Sequence, residues 1–229
     1  MKTSHTIRPL CRGLASVLLV GLLALSALPA PGDDGWVDLF DGKSLKGWRN
    51  YGSKEVTGKG WIVEEGVLKK VAKERGGDLI TERQYDDFVL EWEWRIPAKA
   101  NSGVKYFVRE RGGSAIGHEY QMVDNATMSK PVWLTATFYD VLPTTTNATP
   151  RIGDWNQSRL VVRGNHIEHW LNGVKVLEYE CGSPEVRAAV ARSKFKAAPE
   201  FAEKVRGHVL LTDHQDECWF RNIRIKEGK

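Results

Sequence analysis

The sequence is poor in the residues that build metal and redox centres, with three cysteines and three methionines among 229 residues. No cysteines and histidines stand at zinc-finger spacing, which excludes a structural zinc site of that kind. A Gly-x-Ser-x-Gly elbow and a phosphate-cradling P-loop are both missing, so the enzyme classes signalled by those motifs drop out. Helical periodicity is scarce, and low-complexity tracts and clear repeats are absent. Only one long apolar run exists, Leu14–Leu28, and no later segment is apolar enough to span a membrane.

That single run has the flanks of an export signal. Lys2, Arg8 and Arg12 precede it, and the small residues Ala27 and Ala30 lead into Pro31-Gly32-Asp33-Asp34. A basic region, an apolar region and a small-residue cleavage zone read as a secretory signal over residues 1–30. The expected location is therefore exported, periplasmic or extracellular, with no membrane association beyond the signal. Charge follows the same division. Lys and Arg number 33 against 29 Asp and Glu, and without Lys2, Arg8 and Arg12 the remainder is nearly balanced. The pI of about 8.9 is thus partly a property of the signal, and no nucleic-acid partner is expected. Cys11 also lies in that segment. Cys181 and Cys218 remain, either as a disulfide formed in an oxidising compartment or as two unrelated thiols.

The remaining chain, residues 35–229, reads as one domain of short strands and turns. Phe88–Ile96 alternates cleanly, with Phe88, Leu90, Trp92, Trp94 and Ile96 on one face and Glu91, Glu93 and Arg95 on the other. A strand with one buried face produces that pattern. Further strands are expected at 61–63, 67–71, 103–109, 118–123, 158–163, 166–171, 175–180, 208–212 and 219–226. Glu65-Gly66, Gly164-Asn165 and Asn172-Gly173 supply hairpin turns between neighbours. One short helix fits the Ala-rich stretch 184–202. Many short strands at this spacing describe an all-β sandwich or barrel.

Polar residues at strand positions carry the functional signal. Glu119 and Gln121 share one face of their strand, while His118, Tyr120 and Met122 share the other. Alternation puts Lys105 and Arg109 on one face with Phe107. His169 falls on the apolar Ile167/Leu171 face, and Asp213-His214 closes a late strand as a titratable pair. Singly, each has a structural explanation: a solvated Glu, a hydrogen-bonded His, a capping Asp. Together they suit a sugar, because planar polar groups take paired hydroxyls and aromatic rings stack on pyranose faces. A divalent metal held by Glu, Asp and His is compatible with these residue types, but spacing alone does not show one.

The ordered motifs resemble a known family. Gly35-Trp-Val-Asp-Leu-Phe-Asp-Gly-Lys43, Gly77-Asp-Leu-Ile-Thr81, Asn101–Phe107, Glu119–Asp124, Gly153-Asp-Trp-Asn156, Asn165–Gly173 and Trp219–Ile225 follow the order found in the 3-keto-disaccharide hydrolase domain family. The resemblance implies a concanavalin A-like jelly roll of two antiparallel sheets. It also implies cleavage of glycosides whose C3 hydroxyl a separate sugar 3-oxidoreductase has oxidised, by proton abstraction at C2 and loss of the C1 oxygen. Glu119, His214, Asp213 and His169 become the candidate catalytic residues. Lys105, Arg109, Gln121, Asp124, Trp155 and Asn156 become the candidate substrate-binding residues. Thr212-Asp-His-Gln215 departs from the family's usual Gln-Asp-His-Gly. Two other readings remain open at this point, a non-catalytic carbohydrate-binding module and an ordinary glycoside hydrolase working through two carboxylates.

Overall fold

Alternating burial dictates the architecture. In a computed structural model of the chain, which describes Met1, residues 35–57 and residues 59–228, Phe88, Leu90, Trp92 and Trp94 are buried while the residues between them are half-exposed. The export signal expected over residues 1–30 lies, apart from Met1, outside the described residues. Thirteen strands are found among those described: β1 (Trp36–Asp38), β2 (Trp48–Asn50), β3 (Trp61–Glu64), β4 (Val67–Lys70), β5 (Leu79–Thr81), β6 (Phe88–Arg95), β7 (Asn101–Val108), β8 (His118–Val123), β9 (Asn156–Arg163), β10 (His166–Leu171), β11 (Val174–Glu180), β12 (His208–Leu211) and β13 (Cys218–Glu227). The one α-helix among the described residues, α1, spans Pro184–Arg192 and is capped by the Ser183 hydroxyl, which accepts from the Val186 N–H.

The strands form two antiparallel sheets. One runs β11-β10-β9-β6-β13-β4-β3 with β1 also on β13; the other runs β2-β5-β12-β7-β8. Their facing sides make the core, where Trp92, Trp94, Tyr106, Tyr120, Leu160 and Phe220 are almost wholly excluded from solvent. Burying an apolar side chain of this class is worth about 1.5–3 kcal/mol. Two of the three two-residue hairpin turns, Glu65-Gly66 and Asn172-Gly173, have positive φ at each residue, and the third, Gly164-Asn165, has it at Gly164. Cys181 and Cys218 are buried free thiols, with no disulfide between them.

Two details of the smaller sheet differ from the simple alternating pattern. Phe107 has a φ of +59°, and the β12–β7 register slips between His208 and Leu210. The slip is a bulge: Lys105 faces outward, Tyr106 and Phe107 both face the core, and Val108 faces outward. Lys105, Phe107 and Arg109 therefore do not share one face. The other detail is the free edge of β8, which is covered by residues 135–139. Ala136 donates to Gln121, and Tyr139 donates to the Glu119 carbonyl. Covering an edge satisfies backbone groups that would otherwise invite another strand, and here it also carries Tyr139 beside Glu119.

Candidate active site

The outer face of the five-stranded sheet collects the polar side chains. Val104, Tyr106, Tyr120, Met122 and Leu211 fill the core, so alternation turns Gly103, Lys105, Glu119 and Gln121 outward. Lys105 pairs across strands with Glu119, and Gly103 pairs with Gln121. Gly103 makes the space for the carboxylate: a Cβ there would sit 2.5 Å from Glu119 Oε1. Glu119 is 5 % exposed, and His214 approaches it at 4.0 Å, Nε2 to Oε1, from the loop after β12. The imidazole itself is open to solvent, its side chain 44 % exposed. Gln121 is also buried, and its side-chain oxygen has no hydrogen-bond partner among the described residues.

Asp213 stands next to His214 but does different work. Its carboxylate accepts from the N–H groups of Gly76, Gly77 and Gln215 and pairs with the buried Lys70 ammonium at 3.0 Å. Burial pushes this carboxyl up, while the Gln215 N–H, Lys70 and the Gly76 N–H outweigh it and leave the pKa lowered. With its oxygens so engaged, Asp213 is a clamp holding the 74–78 loop rather than a free acid or base. Its own backbone N–H donates to Asp78 Oδ1 at 2.7 Å.

Asp78 and Lys194 are not among the site residues expected from the sequence. Asp78 precedes β5 and is half-buried; its carboxyl feels the charges of Lys105, His214 and Asp213. Burial, the largest influence, pushes its pKa up despite the Asp213 N–H. An acidic residue opening a three-residue apolar strand, within Gly77-Asp-Leu-Ile-Thr81, was the available signal. Lys194 follows α1 and lies over the Tyr139 ring, 4.2 Å from its centroid, with Glu119 and Lys105 as charged neighbours. Tyr139 has a phenol raised by burial and then by the charges of Glu119 and Asp140.

Several expected site residues are elsewhere. His169 is fully buried in the core; Nδ1 donates to the Ala136 carbonyl and Nε2 bonds to the Tyr106 hydroxyl. Burial lowers its pKa to about 4, so it is a neutral structural imidazole with no route to the outer face. Arg109 lines a cavity of about 110 Å³ with Phe107, Ile116 and Phe201, whose lining includes neither Glu119 nor His214. Asp124 spends both oxygens on backbone N–H groups, those of Ala126 and Lys99. Trp155 and Asn156 belong to the other sheet. Arg95 and Arg221 lie over the Trp155 ring, while Asn156 ties the 151–156 loop to Asn172. For Asn156 the reason is that a motif names a residue without saying which sheet its strand joins, and for Arg109 it is the bulge at Phe107.

Among the described residues, one group of His and Glu ligand atoms is tight enough for a cation, His166, Glu168 and Glu178 within 4.8 Å. It lies on the β10–β11 hairpin of the larger sheet, and Lys175 already pairs with Glu178 at 2.6 Å and Glu168 at 3.6 Å. Beside Glu119, positive charge comes from Lys105 and Lys194.

Residues 35–226 match the model of a 3-keto-alpha-glucoside-1,2-lyase-like domain. A 3-keto-disaccharide hydrolase of Bacteroides thetaiotaomicron is 31 % identical over 238 aligned positions, covering 88 % of this chain and 82 % of the relative. Two crystal structures from Parabacteroides distasonis, each provisionally named a glycosyl hydrolase, share the fold. The first has a TM-score of 0.75 at 28 % identity, covering 85 % of this chain and 95 % of that one. The second has a TM-score of 0.68 at 25 % identity, covering 84 % and 99 %.

Proposed function

Because the chain belongs to the 3-keto-alpha-glucoside-1,2-lyase-like domain family, we propose that it is an exported enzyme cleaving the glycosidic bond of 3-keto-glycosides. The observation carrying this reading is the Glu119–His214 pair, 4.0 Å apart on an open polar sheet face with Lys105 opposite Glu119. A ketone at C3 acidifies the C2 proton. Glu119 takes that proton, and the electron pair moves to the C3 oxygen as an enolate. The enolate then re-forms the ketone, a C1–C2 double bond forms, and the C1–O bond breaks. His214 hands a proton to the departing oxygen, and general acid–base help of this kind contributes about 10²–10⁴-fold. Water added later at C1 would turn elimination into net hydrolysis.

Asp213 serves this scheme indirectly, by fixing the loop that holds Asp78 beside His214. Gln121, beside Glu119 on the same strand face, keeps a buried side-chain oxygen without a partner among the described residues. Such a substrate requires a partner reaction upstream, the oxidation of a glycoside at C3 by a separate oxidoreductase. The test is to incubate the purified enzyme with a 3-keto-disaccharide and with its unoxidised parent. Release of a monosaccharide or its dehydrated product from the keto form alone is expected. Cleavage of the parent, or of neither, overturns the reading. A parallel incubation with a chelator reads metal dependence directly.

A further inference from the structure

Resting on that reading, we propose that Lys194 is the residue that holds the developing C3 oxyanion. Three cations were candidates for the task, and geometry separates them. Arg109 points to the cavity beyond the β7–β8 hairpin. Lys105 faces the site, but its ammonium is held at the Ala115 carbonyl, 3.1 Å away, by one of its three donors. Lys194 Nζ makes no hydrogen bond or ion pair among the described residues, and its nearest recorded partners are aromatic faces. Those are Tyr139 at 4.2 Å and Phe195 at 5.0 Å.

Its placement is built rather than incidental. The Lys194 backbone N–H donates to Asp140 Oδ2 at 2.7 Å, and the other Asp140 oxygen accepts from the Trp133 indole at 2.6 Å. Asp140 directly follows Tyr139, whose N–H is bonded to the Glu119 carbonyl. The segment covering the edge of β8 therefore ties the base and the cation to one framework. On the other side, Phe195 stacks on Phe201, ring centroids 4.0 Å apart, and anchors the residue after the lysine. The two aromatic faces cover part of the ammonium without consuming its donors, while the residue stays exposed, and the desolvation they cause lowers its pKa. A donor held in place beside developing negative charge stabilises an oxyanion without reorganising as the charge forms.

In the reaction, Glu119 receives the C2 proton, and the C3 oxygen takes up the electron pair under a hydrogen bond from Lys194 N–H. The lysine keeps its proton overall, because the ketone re-forms as the C1–O bond breaks. The role is thus confined to the enolisation half of the reaction, which can be watched alone. A 3-keto-1,5-anhydrohexitol has no exocyclic leaving group at C1, so exchange of its C2 proton in D₂O reports enolisation without glycosidic cleavage.

Wild-type enzyme, Lys194→Met and Lys194→Arg should be compared for this exchange and for cleavage of a 3-keto-disaccharide, with thermal melts as a folding control. The expected result is a parallel loss of about 10²–10³-fold in both rates for Lys194→Met. Lys194→Arg should recover part of it and move the alkaline limb of kcat/KM upward, since a guanidinium does not titrate there. Exchange at the wild-type rate in Lys194→Met overturns the proposal, as does loss of cleavage with exchange intact. If the wild-type enzyme neither exchanges nor cleaves the keto sugar, the keto-glycoside reading itself falls, and this assignment falls with it.

Discussion

The outer faces of the two sheets use similar residues in opposite ways. On the eight-stranded sheet, Glu91 pairs with Arg224 and Arg159, Glu93 with Arg221, and Lys69 with Glu217. Arg95 is sandwiched between Trp155 and Trp219, and Arg221 covers Trp155. These aromatic faces are occupied by the protein's own cations. Around Glu119 on the five-stranded sheet, and among the described residues, the carboxylate has His214 at 4.0 Å as its ion-pair neighbour, the nearby Lys194 ammonium has no paired acceptor, and the Gln121 side-chain oxygen is buried without a partner. The eight-stranded sheet has spent these polar groups on one another, while those beside Glu119 are held ready, although Arg49 and Glu110 pair elsewhere on the five-stranded sheet. Unspent polarity costs stability, and a fold tolerates it where function needs it.

This contrast can be broken from the active side first. Glu119→Gln keeps the shape and removes the base, so kcat on a 3-keto-disaccharide should fall about 10³–10⁴-fold with the melting temperature nearly unchanged. Next in size is Asp213→Asn, which leaves the buried Lys70 charge without its partner. Denaturant melts should show a loss of about 3 kcal/mol, because an uncompensated buried charge is costly. The Asp213 pKa is lowered in the fold, so its stabilisation is present above about pH 4 and lost as pH falls through the folded value. The wild-type and variant melting curves should therefore converge in acid.

Smaller effects sharpen the comparison. Gly103→Ala should reduce activity about 100-fold with little change in stability, since the clashing atom is the movable end of Glu119. Asp78→Asn should lower kcat/KM about tenfold, or about 1.4 kcal/mol, and yet not lower the melting temperature. Its folded pKa is raised, so the stability linked to it is full below about pH 4 and declines as pH rises through the folded value. Neutralising the group removes that decline at neutral pH. On the other sheet, Arg221→Ala should cost about 1 kcal/mol or less and leave turnover unchanged, as expected for a half-exposed ion pair. A large activity loss there would dissolve the distinction between the faces.

Much of the fold was legible because its signals are short-range. The alternation of Phe88–Ile96 and the turns at Glu65-Gly66 and Asn172-Gly173 appear as the residues suggest. Three strands escaped notice, Trp36–Asp38, Trp48–Asn50 and Leu79–Thr81, since three residues are too few to show a period. The site was legible only in part. Glu119 and His214 meet on the outer face, but Arg109, Asp124, Trp155 and Asn156 lie elsewhere, and His169 lies inside. Asp78 was hidden because a carboxylate at a strand end looks the same whether it caps a turn or faces a cleft.

By itself the sequence determined an all-β sandwich or barrel, its principal hairpins, the shared face of Glu119 and Gln121, and, through its ordered motifs, the family to which the chain belongs. Periodicity and turn chemistry are properties of neighbours a few positions apart, and they survive without a three-dimensional context. Tertiary structure alone decided which polar groups are satisfied. The Asp213 clamp joins residues 137 positions apart, and Lys194 reaches Glu119 from beyond α1. Whether a side chain is spent or available depends on such distant partners. That is why the division of labour between Asp213 and His214, adjacent in the chain, could be read only from the fold.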